Sequence, residues 1–146
     1  MDDLSDIEQP VVDFFLGVQR SLNAADGDAI AAAFASEVLL GDPDGTRALR
    51  NDAALRAEID ERLAWLRAAG LRDAKALQID PVPLGPDYAL VKVRWSIWFM
   101  PAGRTDFVDE FLVDYVVRTS ADTIEIAAAL AHDTVNDVRR RIGSIE

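Results

Sequence analysis

The chain contains a single histidine, His132, and strand geometry sets a carboxylate, Asp109, across from it. If Arg118 stands opposite Thr123 in an antiparallel hairpin, Asp109 falls opposite His132 on a face whose other residues are apolar. An imidazole oriented by a carboxylate is a general acid–base unit that titrates near neutral pH. Two plainer readings stand beside this one. The pair can be structural, satisfying two polar groups at the open end of a sheet, or His132 can belong to the polar segment that follows. A single bulge in either strand would send one of the two to the other face. Around this pair, Phe15, Val18, Phe34, Trp95, Phe111, Val113, Tyr115, Ala128 and Leu130 are the expected lining of a pocket. Aromatic walls suit a flat hydrophobic ligand, and a tyrosine hydroxyl can hold a carbonyl. Such aromatics are more often plain core.

The elements that must carry these residues are legible as hydrophobic patterns. Tyr88–Met100, Thr105–Thr119 and Thr123–His132 alternate apolar and polar residues, separated by the turns Pro101–Arg104 and Ser120–Asp122. Setting Phe99 opposite Phe107 puts Lys92 opposite Asp114 on the polar face, a favourable cross-strand pair. Upstream, Val11, Phe15, Val18 and Leu22 share one face of a helix that Pro10 suits as its first turn, running to about Asn23. Asp26 or Asp28 caps a short second helix through Ala35, and Val38–Leu40 is a short strand. Asn51 or Asp52 caps a third helix that buries Leu55, Ile59, Leu63 and Leu66 and ends at Gly70. Leu71 to Pro81 reads as an edge strand. This is an α+β order: about three N-terminal helices packed on the concave face of a strongly curved, mostly antiparallel sheet, enclosing a cone. One domain spans residues 1–146, with residues 1–8 and 134–146 as tails.

Composition narrows the partners. A net charge of −11 argues against DNA, RNA or an anionic membrane, and Arg139-Arg140-Arg141 is too short a run to reverse that. No apolar run approaches the ~20 residues of a membrane span. The acidic start Met1-Asp2-Asp3-Leu4-Ser5-Asp6 is unlike a secretory signal, and a cytoplasmic location is the expectation. With no cysteine and one histidine, no metal site is expected, and no phosphate-binding glycine loop marks a cofactor. Trp98, Met100, Leu112, Val116 and Leu90 are apolar positions on the otherwise polar face, with Ala127, Ala129 and Ala131 beside them. Grouped in this way they suggest an interface, and a homodimer through the outer sheet face is expected.

The amphipathic first helix leads into Asp26-Gly27-Asp28-Ala29-Ile30-Ala31-Ala32-Ala33-Phe34-Ala35. Val38-Leu39-Leu40-Gly41-Asp42-Pro43-Asp44-Gly45 and the three long strands follow. Together these resemble the nuclear transport factor 2-like superfamily, which includes ketosteroid isomerases and SnoaL-like polyketide cyclases. The resemblance implies a homodimer and a small hydrophobic ligand in the cone. It also implies cofactor-independent acid–base chemistry on a carbonyl compound, of isomerase, cyclase or hydrolase type. In the isomerases an Asp-Pro-x-Gly segment supplies the general base, which falls here on Asp42 of Asp42-Pro43-Asp44-Gly45. The alternative for Asp42 is simply to open a turn. The isomerases' tyrosine on the first helix has no counterpart among Phe14, Phe15 and Val18, which speaks against steroid isomerisation itself. The cyclases' aspartate and histidine correspond in kind to Asp42, Asp109 and His132. The alternative function is a non-catalytic ligand-binding or dimerisation module, since one fold hosts many activities.

Overall fold

The computed structural model describes residues 3–120 and 123–133. Helix α1 (Asp3–Asn23) starts seven residues before Pro10, so the segment expected as an N-terminal tail is helical from Asp3 onward. Pro10 lies inside α1 on its exposed side, where its missing N–H faces solvent. The Asp26 carboxylate accepts from the Ala29 N–H at 3.1 Å and caps α2 (Gly27–Ala32). β1 (Phe34–Asp42) and β2 (Gly45–Arg50) follow as a hairpin, with Asp42 opposite Gly45. The Asp52 carboxylate accepts from the Ala54 N–H at 3.0 Å and starts α3 (Ala53–Ala68), which Gly70 terminates at φ +91.

β3 (Leu71–Leu84), β4 (Tyr88–Phe99), β5 (Phe107–Arg118) and β6 (Glu125–Ala131) complete a six-stranded curved, unclosed sheet in the order β2-β1-β6-β5-β4-β3. All pairings are antiparallel except β1 with β6. Phe99 stands opposite Phe107 and Lys92 opposite Asp114, the register that alternation and turn length dictate. β3 is an edge strand, as its pattern suggested. The Asn23 amide of α1 both donates to and accepts from the Ala74 backbone, and the Gln19 side chain accepts from Ala76 N–H at 2.8 Å. These side chains satisfy groups that an open edge would otherwise leave to water.

The three helices cover one side of the sheet. Val11 and Phe15 of α1 pack on Val91, Val93, Trp95, Val113, Tyr115, Val117 and Ile126. Ile30 of α2 joins Val38, Leu55 and Ile59, while Leu66 of α3 meets Ala74, Ile97 and Phe99. Among the described residues no helix is long and apolar enough to cross a membrane. Residues 134–146, with Arg139-Arg140-Arg141, lie outside the described residues.

The register of β6 departs from expectation. Arg118 pairs with Glu125 rather than Thr123, and Val117 pairs with Ile126 while Val116 pairs with Ala128. Ala127 is therefore an extra residue, a bulge, and every side chain after it changes face. Ala129 and Ala131 turn inward, whereas Ala128, Leu130 and His132 turn outward.

Candidate functional site

Between the helices and the concave face lies a cavity of about 580 Å³. Its floor is the inward row of the strands: Trp95, Ile97 and Phe99 of β4, Phe111, Val113 and Tyr115 of β5, and Ile126, Ala129 and Ala131 of β6. Val18 and Leu22 of α1, Phe34 of β1, and Leu55, Ile59, Leu63 and Leu66 of α3 close it from the other side. Of the residues expected to line a pocket, Val18, Phe34, Trp95, Phe111, Val113 and Tyr115 do so. Phe15 does not. It is fully buried behind the wall, its ring 4.8 Å from that of Tyr115. Ala128 and Leu130 lie on the outer face instead, because the Ala127 bulge reverses their alternation.

The polar groups of the cavity are few and placed by strand geometry. Tyr115 is buried, and its hydroxyl oxygen accepts from the Trp95 indole N–H at 3.0 Å. Burial pushes the phenol up to about 12, against the smaller opposing pulls of the Trp95 bond and the Arg62 charge. Asp109 alternates with Phe107 and Phe111, and therefore faces inward. It is only 7% exposed, a buried carboxylate in a wall that is otherwise mostly apolar. Asp133 follows Ala131 by two residues and lines the same space, on the strand side next to the one that carries Asp109.

The rim belongs to the β1–β2 hairpin and α3. Arg47 and Glu58 form an ion pair at 2.5 Å, which holds the Glu58 carboxyl below its ordinary range and raises Arg47. Asp42 lines the rim, and one of its carboxylate oxygens accepts from the Asp44 N–H at 2.8 Å. That bond is the turn-opening role its sequence context suggested.

The expected Asp109–His132 pair does not form. His132 Nε2 lies 2.8 Å from Asp114 Oδ2 on the outer face, where its side chain is 43% exposed. The bulge turns the imidazole away from the cavity, and the His132 backbone N–H donates to Leu112 O in place of the expected register. The other Asp114 carboxylate oxygen is buried without a hydrogen-bond partner among the described residues.

Asp133 and Arg62 are among the residues of the site that were not anticipated from the sequence. Asp133 could not be, because its inward orientation depends on the bulge. Arg62 could have been. It is three residues after Ile59 and four before Leu66, on the side of α3 that faces the cavity. Among the described residues no group of three or more histidine, cysteine or acidic side chains could hold a metal ion.

Comparison with solved structures places this architecture. An NTF-2 like protein of unknown function from Shewanella oneidensis shares 17% identity at a TM-score of 0.68, over 86% of this chain and 98% of that one. Aln2 from a Streptomyces species shares 14% identity at 0.72, over 93% and 95% of the two chains. A ketosteroid isomerase-like protein from Erwinia carotovora atroseptica shares 17% at 0.64, over 90% and 95%. At such identities the likeness is one of fold. No protein with a curated description matches the sequence. The family model described as NTF2-like protein (DUF6841) matches residues 5–134, nearly the whole chain. The chain therefore belongs to that NTF2-like family.

Proposed function

We propose that the cavity binds an elongated, largely apolar molecule bearing oxygen functions, and that Asp109 transfers a proton on it without a cofactor. The observation that carries this reading is a buried carboxylate in the wall of an otherwise mostly apolar cavity of about 580 Å³. A carboxylate in the wall of a cavity, within reach of a bound molecule's acidic proton, is a general acid–base unit. Tyr115 supplies a hydroxyl hydrogen for a ligand oxygen, since the bond from the Trp95 N–H uses only its oxygen. Asp109 and Tyr115 are six positions apart on β5, about 20 Å of extended strand. They therefore address opposite ends of a ligand, not one reacting atom. His132 has no part in this chemistry, because it stands on the other face of the sheet.

The test is a panel of conjugated enones, β-keto esters and epoxides with fused-ring bodies, assayed across pH. Asp109→Asn is expected to lower turnover at least a hundredfold while leaving ligand binding intact, and His132→Ala to change neither. Binding without turnover by the unmodified protein would sink the proton-transfer role and leave a ligand carrier.

We further propose that a second copy of the chain covers the outer sheet face. Val82, Leu90, Val116, Ala128 and Leu39 stand opposite one another in turn, an apolar row that crosses five strands. Beside it runs the row Asp80, Lys92, Asp114, whose alternating charge complements a copy of itself turned about a two-fold axis. Trp98 and Met100, 40% and 45% exposed, extend the apolar surface toward one end, with Leu112 on the same face.

A further inference from the structure

We propose that the ligand carries one negative charge, a carboxylate on its apolar body, and that Arg62 is the residue that binds it. This rests on the reading that the cavity holds a ligand, and it specifies what kind.

The stripe of α3 that faces the cavity is apolar at Leu55, Ile59 and Leu66, and a leucine at position 62 would continue it. An arginine there points a cation at a mostly apolar space. Two other arginines near this helix are engaged. Arg47 holds Glu58, and Arg56 bridges Asp28 and Asp60. Arg62 makes no hydrogen bond or ion pair among the described residues, although Glu58 stands one turn away, committed to Arg47. Arg62 is exposed to solvent, so its charge is hydrated while the cavity is empty.

A second donor lines the same cavity. The Tyr115 hydrogen has no acceptor among the described residues, and the Arg62 charge is felt at that phenol through the cavity. A guanidinium fork and a phenol O–H together ask for a group that only accepts, which is the character of a carboxylate. The acidic groups of the rim and wall disfavour more than one negative charge. Asp42, Asp44, Glu58, Asp109 and Asp133 outnumber Arg47 and Arg62, so a phosphate or dicarboxylate would be repelled.

The experiment is calorimetric titration of the purified protein with 2-naphthylacetate, its methyl ester and 2-naphthylethylamine. The acid is expected to bind roughly tenfold more tightly than the ester, the worth of one charged hydrogen bond at a partly open site. Arg62→Gln should remove that preference by weakening the acid more than the ester, and Arg62→Lys should restore part of it. Equal binding of acid and ester overturns the proposal while the pocket reading stands. So does tightest binding of the amine, which would assign recognition to the rim carboxylates. Binding of none of the three overturns both the proposal and the pocket reading.

Discussion

Burial pushes the Tyr115 phenol up to about 12, about two units above its ordinary value, so the folded protein keeps this proton where an unfolded chain releases it. The sign follows from that difference. The contribution to stability is fully present below pH 10 and is lost as pH rises from 10 to 12, on the order of 3 kcal/mol in all. Urea denaturation at pH 9 and pH 11.5 should show this alkaline loss in the unmodified protein. Tyr115→Phe should show less of it, although the substitution strands the Trp95 N–H and costs about 1–3 kcal/mol at neutral pH. At this scale the sequence was informative where alternation alone decides orientation. Asp109 faces inward because it lies between Phe107 and Phe111 on a regular strand, and Tyr115 for the same reason. His132 was misplaced because a single inserted residue, Ala127, reverses the parity that its assignment depended on.

Elements whose own pattern is strong were the ones that could be read ahead. β4 and β5 bury one face and expose the other, and a register slip would invert both, so their pairing is dictated by composition. β2 escaped notice because five of its six residues are exposed: it is a strand through its bonds to β1, not through an apolar face of its own. β1 is longer than the apolar Val38–Leu40 suggests, since its parallel partner is distant in sequence and leaves no local sign. The end of α3 was legible, because Gly70 is a residue that a backbone turn requires. Its φ is +91, and a Cβ there would meet Met100 O at 2.6 Å and Pro101 N at 2.8 Å. Those atoms are backbone and cannot move aside, while Gly70 O accepts from the Met100 N–H at 2.7 Å. Gly70→Ala combines a strained dihedral with this clash and is expected to destabilise by roughly 3 kcal/mol or more. Thermal melting of the variant checks it, and an unchanged midpoint would show that α3 and the β4–β5 turn are not locked together in this way.

For the whole molecule, the apolar row across the outer face sets the expected oligomeric state. Val116 is its midpoint, between Leu90 and Ala128. A lysine there, buried and unpaired against a second copy, costs on the order of 3 kcal/mol. Val116→Lys should therefore convert a dimer into monomers with little change in secondary structure, measured by sedimentation equilibrium. A monomer for the unmodified protein would remove the proposal. The parallel pairing of β1 with β6 has a different consequence, one of time. Leu39 stands beside Ala128, its partner roughly 90 residues further along the chain, and such non-local closure comes late in folding. A ribosome adding 5–20 residues each second needs roughly 5 to 20 s to cover that distance. Throughout that interval the nascent β1–β2 hairpin presents a vacant strand edge, the side of β1 that β6 will occupy. The seam where the finished sheet joins its first strand to its last is thus also where a growing chain is most open to pairing with its neighbours on the same message.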